Sequence, residues 1–238
     1  CATAATRRDL TANNTCASPY VARKTTSGLS RLCKHSQRIA RMKKITICGG
    51  GSLGHVCLGF LSSHDDYSVS LLTNHPEKWN RNITVTDIDG KQFKGTIEKL
   101  SSNPQDVIPG ADIVLFCLPG FLIKQTLEKV KPFLSPDTFV GSIVSSTGFF
   151  FFAHEVLGAK AKIFGFQRIP FIARVVEYGS KANLLGYKAS LNIAVENADN
   201  TEDFRQFIEK AFNTPVNLLQ SFYEACLTNS NPILHTGR

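Results

Sequence analysis

The sequence predicts an α/β fold, built on a doubly wound parallel sheet with helices on both faces. Three observations support this class. Short β-branched segments alternate with segments of helical apolar spacing, and several strand segments are continuously apolar. The first strand also passes into a helix through three consecutive glycines. Continuously apolar strands are typical of parallel sheets, because helices cover both of their faces.

The strands and helices follow one another along the body of the chain. "KKITIC" (43–48) predicts a first strand, and the apolar spacing of Leu53, Val56, Cys57 and Phe60 predicts a helix after it. Further strands are predicted at 67–73, 111–120 and 138–146, a helix over 121–130 ends before Pro132, and 163–195 is again β-rich. Helices are also predicted at 200–212 and 217–228. Within "ITVTDIDGKQFKGTI" (83–97), the Asp-Gly pair predicts a β-hairpin.

The net charge of +8 belongs almost entirely to the first 41 residues. They hold eight Lys or Arg and one Asp, whereas the remainder holds 19 basic and 18 acidic residues. A nearly neutral body gives no electrostatic argument for nucleic-acid binding. Residues 1–41 are predicted to be a disordered basic tail, either a transit-like peptide or sequence upstream of the natural start. Met42, the only methionine, favours the second interpretation.

Cysteine spacing and hydropathy exclude two further classes of function. The seven cysteines form no CxxC pair, and Cys48, Cys57 and Cys117 lie in apolar segments, so we expect buried reduced thiols and no metal site. No segment approaches the roughly 20 apolar residues that cross a bilayer, so no membrane role is expected. A cytoplasmic location is the resulting prediction.

The glycine turn carries the strongest functional signal. Gly49, Gly51 and Gly54 fit the pattern G-x-G-x-x-G directly after a strand and at the start of a helix. The first glycine permits a tight turn, the second lets the backbone approach a pyrophosphate, and the third allows close packing of helix on strand. We therefore expect a Rossmann-like dinucleotide-binding domain over 42–215, with Ser52 and Leu53 also at the cofactor.

The end of the second strand indicates which dinucleotide binds. NAD-binding units usually place a carboxylate there for the ribose hydroxyls. In this chain Thr73 and Asn74 occupy the place, and the first carboxylate is Glu77. Lys78 and Arg81 are close enough in sequence to meet a 2′-phosphate, and the alternative is that both are solvated surface charges. NADP is therefore slightly favoured over NAD.

The strand that ends in "FCLPG" should lie beside the cofactor crevice. We expect the backbone of Cys117, Leu118 and Pro119 to face the ribose on the nicotinamide side. Arg168 and Arg174 are candidates for binding substrate carboxylates, because a guanidinium makes paired hydrogen bonds with them. Ion pairs on a strand surface are the more common use of such arginines.

Four segments together resemble a known enzyme family. They are "KKITICGGGSLGH", "ADIVLFCLPGFLIKQTLEKVKPFL", "FGFQRIPFIARV" and "SNPILHTGR". The chain resembles the octopine/nopaline (opine) dehydrogenase family over about residues 42–238. The glycine motif is shared with many dehydrogenases, whereas the Asn-Pro-x-x-His ending and "QRIPFIAR" are more specific.

The resemblance implies a reductive condensation of an amino acid with a 2-oxo acid, in which NAD(P)H reduces the imine. It implies that His235 is the acid/base residue and that Asn231 shapes the substrate end. Histidine suits this role because its pKa of about 6.5 lets it give and take a proton near neutrality. Amino acid and oxo acid are then the small-molecule partners, with a homodimer as the candidate assembly.

The resemblance also implies a helical substrate domain, of which residues 216–238 would be a truncated start. Without the rest of that domain, we expect the chain to bind dinucleotide with little turnover and His235 to be stranded. Two alternatives stay open: a ketopantoate reductase or glycerol-3-phosphate dehydrogenase-like enzyme, and a catalytically silent dinucleotide-binding module. The former enzymes usually take a lysine from the following domain, and 217–228 contains none.

The remaining conspicuous residues have structural interpretations. "FFFFAHE" (149–155) is expected to be core or interface, because four consecutive phenylalanines cannot all face one core. His55 is expected to pack inside the first helix, and His64 and His75 to lie in loops.

Overall fold

The computed structural model describes residues 42–227. The tail 1–41 and the residues Asn231 and His235 lie outside the described part, so the predictions about them stay predictions. Within it the strands are β1 (Lys43–Cys48), β2 (Tyr67–Leu72), β3 (Asn82–Asp87), β4 (Gln92–Thr96), β5 (Leu100–Ser101), β6 (Ile113–Phe116), β7 (Phe139–Ser142), β8 (Ile163–Phe166), β9 (Phe171–Glu177), β10 (Lys181–Tyr187), β11 (Leu191–Glu196) and β12 (Val216–Leu218). The helices are α1 (Ser52–Ser62), α2 (Pro104–Val107), α3 (Gly120–Val130), α4 (Phe149–Leu157), α5 (Thr201–Phe212) and α6 (Phe222–Cys226).

The larger sheet has eight strands in the order β12-β11-β8-β7-β6-β1-β2-β5. Its strands from β5 to β8 are mutually parallel, in the order of a Rossmann-type domain, and β11 joins β8 in antiparallel orientation. The predicted α/β class and the doubly wound parallel sheet are confirmed. Strand β1 has the predicted bounds, and the strand predicted at 138–146 ends earlier, at Ser142.

Helices and apolar side chains fill both faces of the larger sheet. One face carries a core that includes Val56 of α1 and Ile208 of α5. The other carries Val107, Leu127, Phe149 and further residues from α2, α3, α4 and α6. In α4, Phe149 and Phe150 are fully buried whereas Phe151 is half exposed, as four consecutive phenylalanines on a helix require.

A second sheet, which the sequence did not predict as a unit, has the order β4-β3-β10-β9. The predicted hairpin is its β3–β4 pair, with Gly90 at φ +82° in the turn. This hairpin joins the β9–β10 hairpin through parallel pairing of β3 with β10. The strands therefore form two sheets, and not one sheet alone.

Helix α1 lies between the two sheets. Every residue from Gly54 to Leu61 is buried, as expected for a helix that is apolar all round. A Cβ added at Gly59 would lie 2.5 Å from Val85 Cγ2, so the helix approaches the small sheet closely where it has no side chain. The helix that begins at the glycine turn is therefore held from both sides.

The structure differs from the prediction at 217–228. Val216–Leu218 is an edge strand paired with β11, and only Phe222–Cys226 is helical. Ala225 and Cys226 are buried in the same core as α3 and α4. Residues 216–227 thus pack on the α/β body through Val216, Ala225 and Cys226, which are buried. That a helical substrate domain starts at residue 216 stays a prediction.

Candidate dinucleotide-binding site

The carboxyl ends of the central strands lie at one edge of the large sheet. Cys48 is level with Leu72 of β2 and Phe116 of β6, and Phe116 is level with Ser142 of β7. The loops that follow these strands therefore start side by side. This register brings the glycine turn, Thr73 and the "CLPG" segment together, as the sequence predicted for a cofactor crevice.

The three motif glycines have different surroundings. Gly49 has φ +122°, and a Cβ there would lie 2.6 Å from the Cys117 carbonyl oxygen. A Cβ at Gly54 would lie 2.1 Å from the Gly49 carbonyl oxygen. The helix can therefore pack this closely on the turn only because residue 54 has no side chain. A Cβ at Gly51 would meet no atom within 4 Å. The first and third glycines are thus required by the fold, whereas the second borders open space.

The start of α1 is suited to an anion. Gly51 is its N-cap residue, no side chain of the described residues caps it, and its first turn holds no acidic residue. The N–H groups of Ser52, Leu53 and Gly54 come too early in the helix for intrahelical partners. These donors and the positive end of the helix dipole favour a phosphate group at this place. The residues present therefore fit the pyrophosphate of a dinucleotide.

A cleft of about 680 Å³ lies beside the end of β2 and is lined by His75, Lys78 and Tyr178. Thr73 is buried, and its N–H donates to the Ser101 carbonyl at 3.1 Å. Asn74 is exposed. Of the two basic residues considered for a 2′-phosphate, Lys78 lines the cleft. Arg81 donates instead to the Glu98 carbonyl at 3.4 Å.

The "CLPG" segment connects β6 to α3. Cys117 is buried and its N–H donates to the Cys48 carbonyl at 2.9 Å, which continues the sheet beyond Phe116. A hydrogen bond with Cys57 and burial raise the pKa of the Cys117 thiol, so it stays protonated. Leu118 is half-buried, and the exposed Pro119 is the N-cap of α3. The three residues reach the predicted edge, and their contact with a ribose stays a prediction.

His55 forms a buried link that sequence reasoning did not identify. The Gly179 N–H donates to His55 Nε2 at 2.8 Å, so the proton is on Nδ1, which donates to the Gly51 carbonyl at 2.9 Å. Burial lowers the pKa of His55, and the bond to Gly51 opposes this only in part. The ring stacks on Trp79, with centroids 4.1 Å apart. His55 therefore packs in the core, as expected, and also joins the glycine turn to the β9–β10 turn.

No local signal marks this link, because its partners are 124 residues apart. The only clue in the sequence is the segment "EYGSK", whose glycine follows a tyrosine in a β-rich region. In the structure Gly179 has φ +78°, and a Cβ there would lie 2.0 Å from the Lys78 carbonyl oxygen. The turn therefore requires glycine.

The arginines predicted for the substrate lie in different places. Arg168 is exposed just beyond the carboxyl end of β8, on the same sheet edge as the glycine turn. Arg174 lies on β9 of the small sheet and donates to the Ala173 carbonyl at 3.1 Å. His154 of α4 is 2.7 Å from Glu196, a pair that ties the helix to β11. Only Arg168 is therefore positioned beside the cofactor edge.

Other features of residues 42–227 lie away from the glycine turn. A cavity of about 360 Å³, lined in part by Phe60, His64 and Tyr187, lies at the opposite end of α1. Within the same residues, no group of three or more His, Cys, Asp or Glu could hold a metal ion. None of the described helices has the length and apolar character needed to cross a membrane.

Comparison with known proteins identifies relatives of this part of the chain. Residues 45–147 match the ketopantoate reductase PanE/ApbA family. Opine dehydrogenase of Haliotis discus hannai is 32% identical over 169 residues, which are 63% of this chain and 42% of that protein. Octopine dehydrogenase of Mizuhopecten yessoensis is 29% identical over 163 residues, 62% of this chain and 41% of that protein.

A solved structure of octopine dehydrogenase with NADH and L-arginine superposes with a TM-score of 0.74 at 25% identity. It covers 81% of this chain and 52% of the octopine dehydrogenase chain. The chain thus spans about half the length of the relatives it matches, or less. Over that span, the Rossmann-like fold and the resemblance are confirmed, and the chain is similar in sequence and fold to opine and octopine dehydrogenases.

Proposed function

We propose that this chain binds a nicotinamide dinucleotide as part of an opine-type dehydrogenase. The observation that carries the proposal is the glycine turn at the start of α1, where an uncapped helix end and the open space at Gly51 suit a pyrophosphate. The likeness to an octopine dehydrogenase that holds NADH supports the same placement. The reaction would join the amine of an amino acid to a 2-oxo acid and reduce the resulting imine.

The bound cofactor would supply a hydride to the imine carbon. In this proposal the helix start orients the pyrophosphate, and Cys117, Leu118 and Pro119 border the crevice on the side of β6. His235 would hold or release the proton of the reacting amine, with Asn231 beside it. Arg168, exposed at the same sheet edge, would bind a substrate carboxylate.

The ketopantoate reductase alternative rests on the family match over 45–147. That region includes the glycine turn and the "CLPG" segment, which dehydrogenases of several substrate classes need for the same cofactor. The likeness to opine and octopine dehydrogenases covers more of the chain and favours the opine-type reaction. Homodimer formation, a cytoplasmic location, and the absence of nucleic-acid and membrane partners stay predictions.

Oxidation of NAD(P)H by the product of the complete open reading frame that contains this sequence tests the reaction. We expect turnover with pyruvate and an amino acid together, and none with either alone. Turnover with a 2-oxo acid and no amine would support the reductase instead. Dinucleotide binding without turnover under any condition would support the silent module.

The preference for NADP rests on Lys78, which lines the cleft beside Thr73 and Asn74. Glu77 argues against the preference for NADP, because a carboxylate repels a 2′-phosphate. Its Oε1 lies 3.2 Å from Nδ1 of His75, which lines the same cleft. We expect Lys78→Ala to weaken NADPH binding more than NADH binding, in a fluorescence titration of both. Arg81→Ala is the matched control, since Arg81 bonds the Glu98 carbonyl. Tighter binding of NADH than of NADPH by the unmodified protein would contradict the preference.

A further inference from the structure

Tyr178 lies against the glycine turn, although it comes from the small sheet. It is in the turn between β9 and β10, and a Cβ added at Gly50 would lie 2.8 Å from its hydroxyl oxygen. Its ring makes edge contacts with His55 and Trp79, with centroids 5.0 Å and 5.5 Å away. The side chain is nevertheless 45% exposed, and it lines the cleft with His75 and Lys78.

The cleft lies beside the end of β2, where a Rossmann-type domain binds the adenosine half of a dinucleotide. In a Rossmann-type domain the pyrophosphate lies at the start of the first helix, and the adenosine ribose lies at the end of the second strand. Here these two places are Gly51–Leu53 and Thr73–Asn74, and the cleft adjoins the second of them. Tyr178 therefore borders the cleft between the glycine turn and the end of β2.

The structure holds the β9–β10 turn in one position. Gly179 donates to His55 Nε2 at 2.8 Å, and its carbonyl accepts from the Asn80 N–H at 2.9 Å. His55 is itself buried in α1 and bonded to Gly51. The tyrosine is thus placed beside the turn before any ligand arrives, which lowers the entropy cost of using its ring.

We propose that Tyr178 forms a wall of an adenine-nucleotide subsite, where its ring packs on the adenosine of the dinucleotide, and that His55 positions it. This inference rests on the proposed dinucleotide binding and assigns its adenosine half. An aromatic ring stacks on any base face, so Tyr178 would contribute affinity for the adenine base without selecting it among the bases. Free ADP should then bind at the same place as the dinucleotide.

Calorimetric titration of ADP and of NADPH into the purified protein tests the proposal. We expect Tyr178→Ala to weaken both ligands by roughly 10- to 100-fold, the usual effect of losing one aromatic stacking partner. Tyr178→Phe should keep most of the affinity, because the ring remains. The matched control is Tyr187→Ala, since Tyr187 is 41% exposed on the same sheet and lines the distant cavity. It should bind both ligands as the unmodified protein does.

A double-mutant cycle tests the positioning role of His55. We expect His55→Leu to weaken ADP binding in the unmodified protein and to have little further effect in the Tyr178→Ala background, because the histidine acts through the tyrosine. Equal effects in both backgrounds would overturn this role. Melting curves of each variant identify any loss of folding. If His55→Leu does not fold, the comparison of Tyr178→Phe with Tyr178→Ala still tests the subsite, because both variants keep His55.

The outcomes separate this inference from the proposed function. If Tyr178→Ala binds ADP and NADPH unchanged, the subsite is wrong while dinucleotide binding stands. If it loses NADPH affinity only, Tyr178 does not contact the adenosine half, and the inference is wrong as well. If the unmodified protein binds neither ADP, NADH nor NADPH, the proposed function itself fails, and the subsite with it.

Discussion

Helices α1 and α5 begin in opposite ways. Asn200 caps α5 by accepting hydrogen bonds from the Glu202 and Asp203 N–H groups, and these two acidic residues lie in the first turn. Helix α1 begins at Gly51, with no side-chain cap and no acidic residue. In α5 a side chain of the protein accepts hydrogen bonds from N–H groups of the first turn, whereas in α1 the first N–H groups stay available to a ligand. No side chain of the described residues caps the start of α1, which is the arrangement that a bound anion would complete.

The largest expected effect comes from a side chain at Gly54, where helix α1 packs closely on the glycine turn. Gly54→Ala places a Cβ 2.1 Å from the Gly49 carbonyl oxygen, so the turn must move away from the helix. We expect a loss of about 3 kcal/mol in the free energy of unfolding. Urea denaturation followed by circular dichroism measures it. Gly51→Ala, which meets no atom within 4 Å, is the control, and an equal loss there would contradict the explanation.

The next effect follows from making α1 begin like α5. Gly51→Asp supplies a capping carboxylate, which satisfies an N–H group and repels phosphate. We expect stability to stay the same or rise by a few tenths of a kcal/mol. Affinity for NADPH should fall roughly 100-fold, since a like charge at the anion costs several kcal/mol. Titration and melting of the same sample measure both, and unchanged affinity would mean that the pyrophosphate lies elsewhere.

Removing the cap from α5 is the reciprocal change. Asn200→Ala leaves the Glu202 and Asp203 N–H groups without their acceptor, and we expect it to cost about 1 kcal/mol of stability. Asn200→Gly should lower the free energy of unfolding by only a few tenths of a kcal/mol. Glu196, at the end of β11, lies opposite Ile163 at the start of β8, so Asn200 follows the sheet edge opposite the glycine turn, and dinucleotide affinity should not change. A loss of affinity in Asn200→Ala would show that the two helix starts are coupled.

The smallest expected effect concerns pH. Burial lowers the pKa of His55 in the folded protein, whereas in the unfolded chain it stays near 6.5. Below about pH 6.5 the unfolded chain therefore binds a proton that the folded protein rejects, and the free energy of unfolding falls as pH falls. Burial lowers the pKa of His64 in the same direction. In His55→Leu the free energy of unfolding should fall less steeply between pH 7 and pH 5 than in the unmodified protein. Some pH dependence should remain, because His64 is still present. An unchanged slope in urea titrations would contradict it.

The sequence predicted the features that depend on local pattern. The strand Lys43–Cys48, the glycine turn, the β3–β4 hairpin and the helix predicted over 200–212 each have their signal within a few residues. The small sheet had no such signal, because β3 pairs with β10 across about a hundred residues. The helix predicted at 217–228 is shorter in the described residues, Phe222–Cys226, because pairing with β11 decided the structure of Val216–Leu218.

The same limit applies to the candidate site. Gly49, Gly51 and Gly54 could be found from spacing, and the parallel register places Thr73 and Cys117 beside them. Tyr178 could not be found, because it reaches the turn only through the small sheet and His55. The sequence gives no reason to prefer Lys78 over Arg81, whereas in the structure Lys78 lines the cleft and Arg81 donates to the Glu98 carbonyl.

The burial of α1 between two sheets has a consequence for how the protein moves. Its interior residues, Gly54–Leu61, have no route to solvent along the helix sides, so their amides open only when a large part of the domain opens. The helix that offers its first N–H groups to a ligand is thus a rigid base. Any motion that admits or releases the ligand must therefore occur in segments outside this helix, of which the loop after β2 lines the cleft.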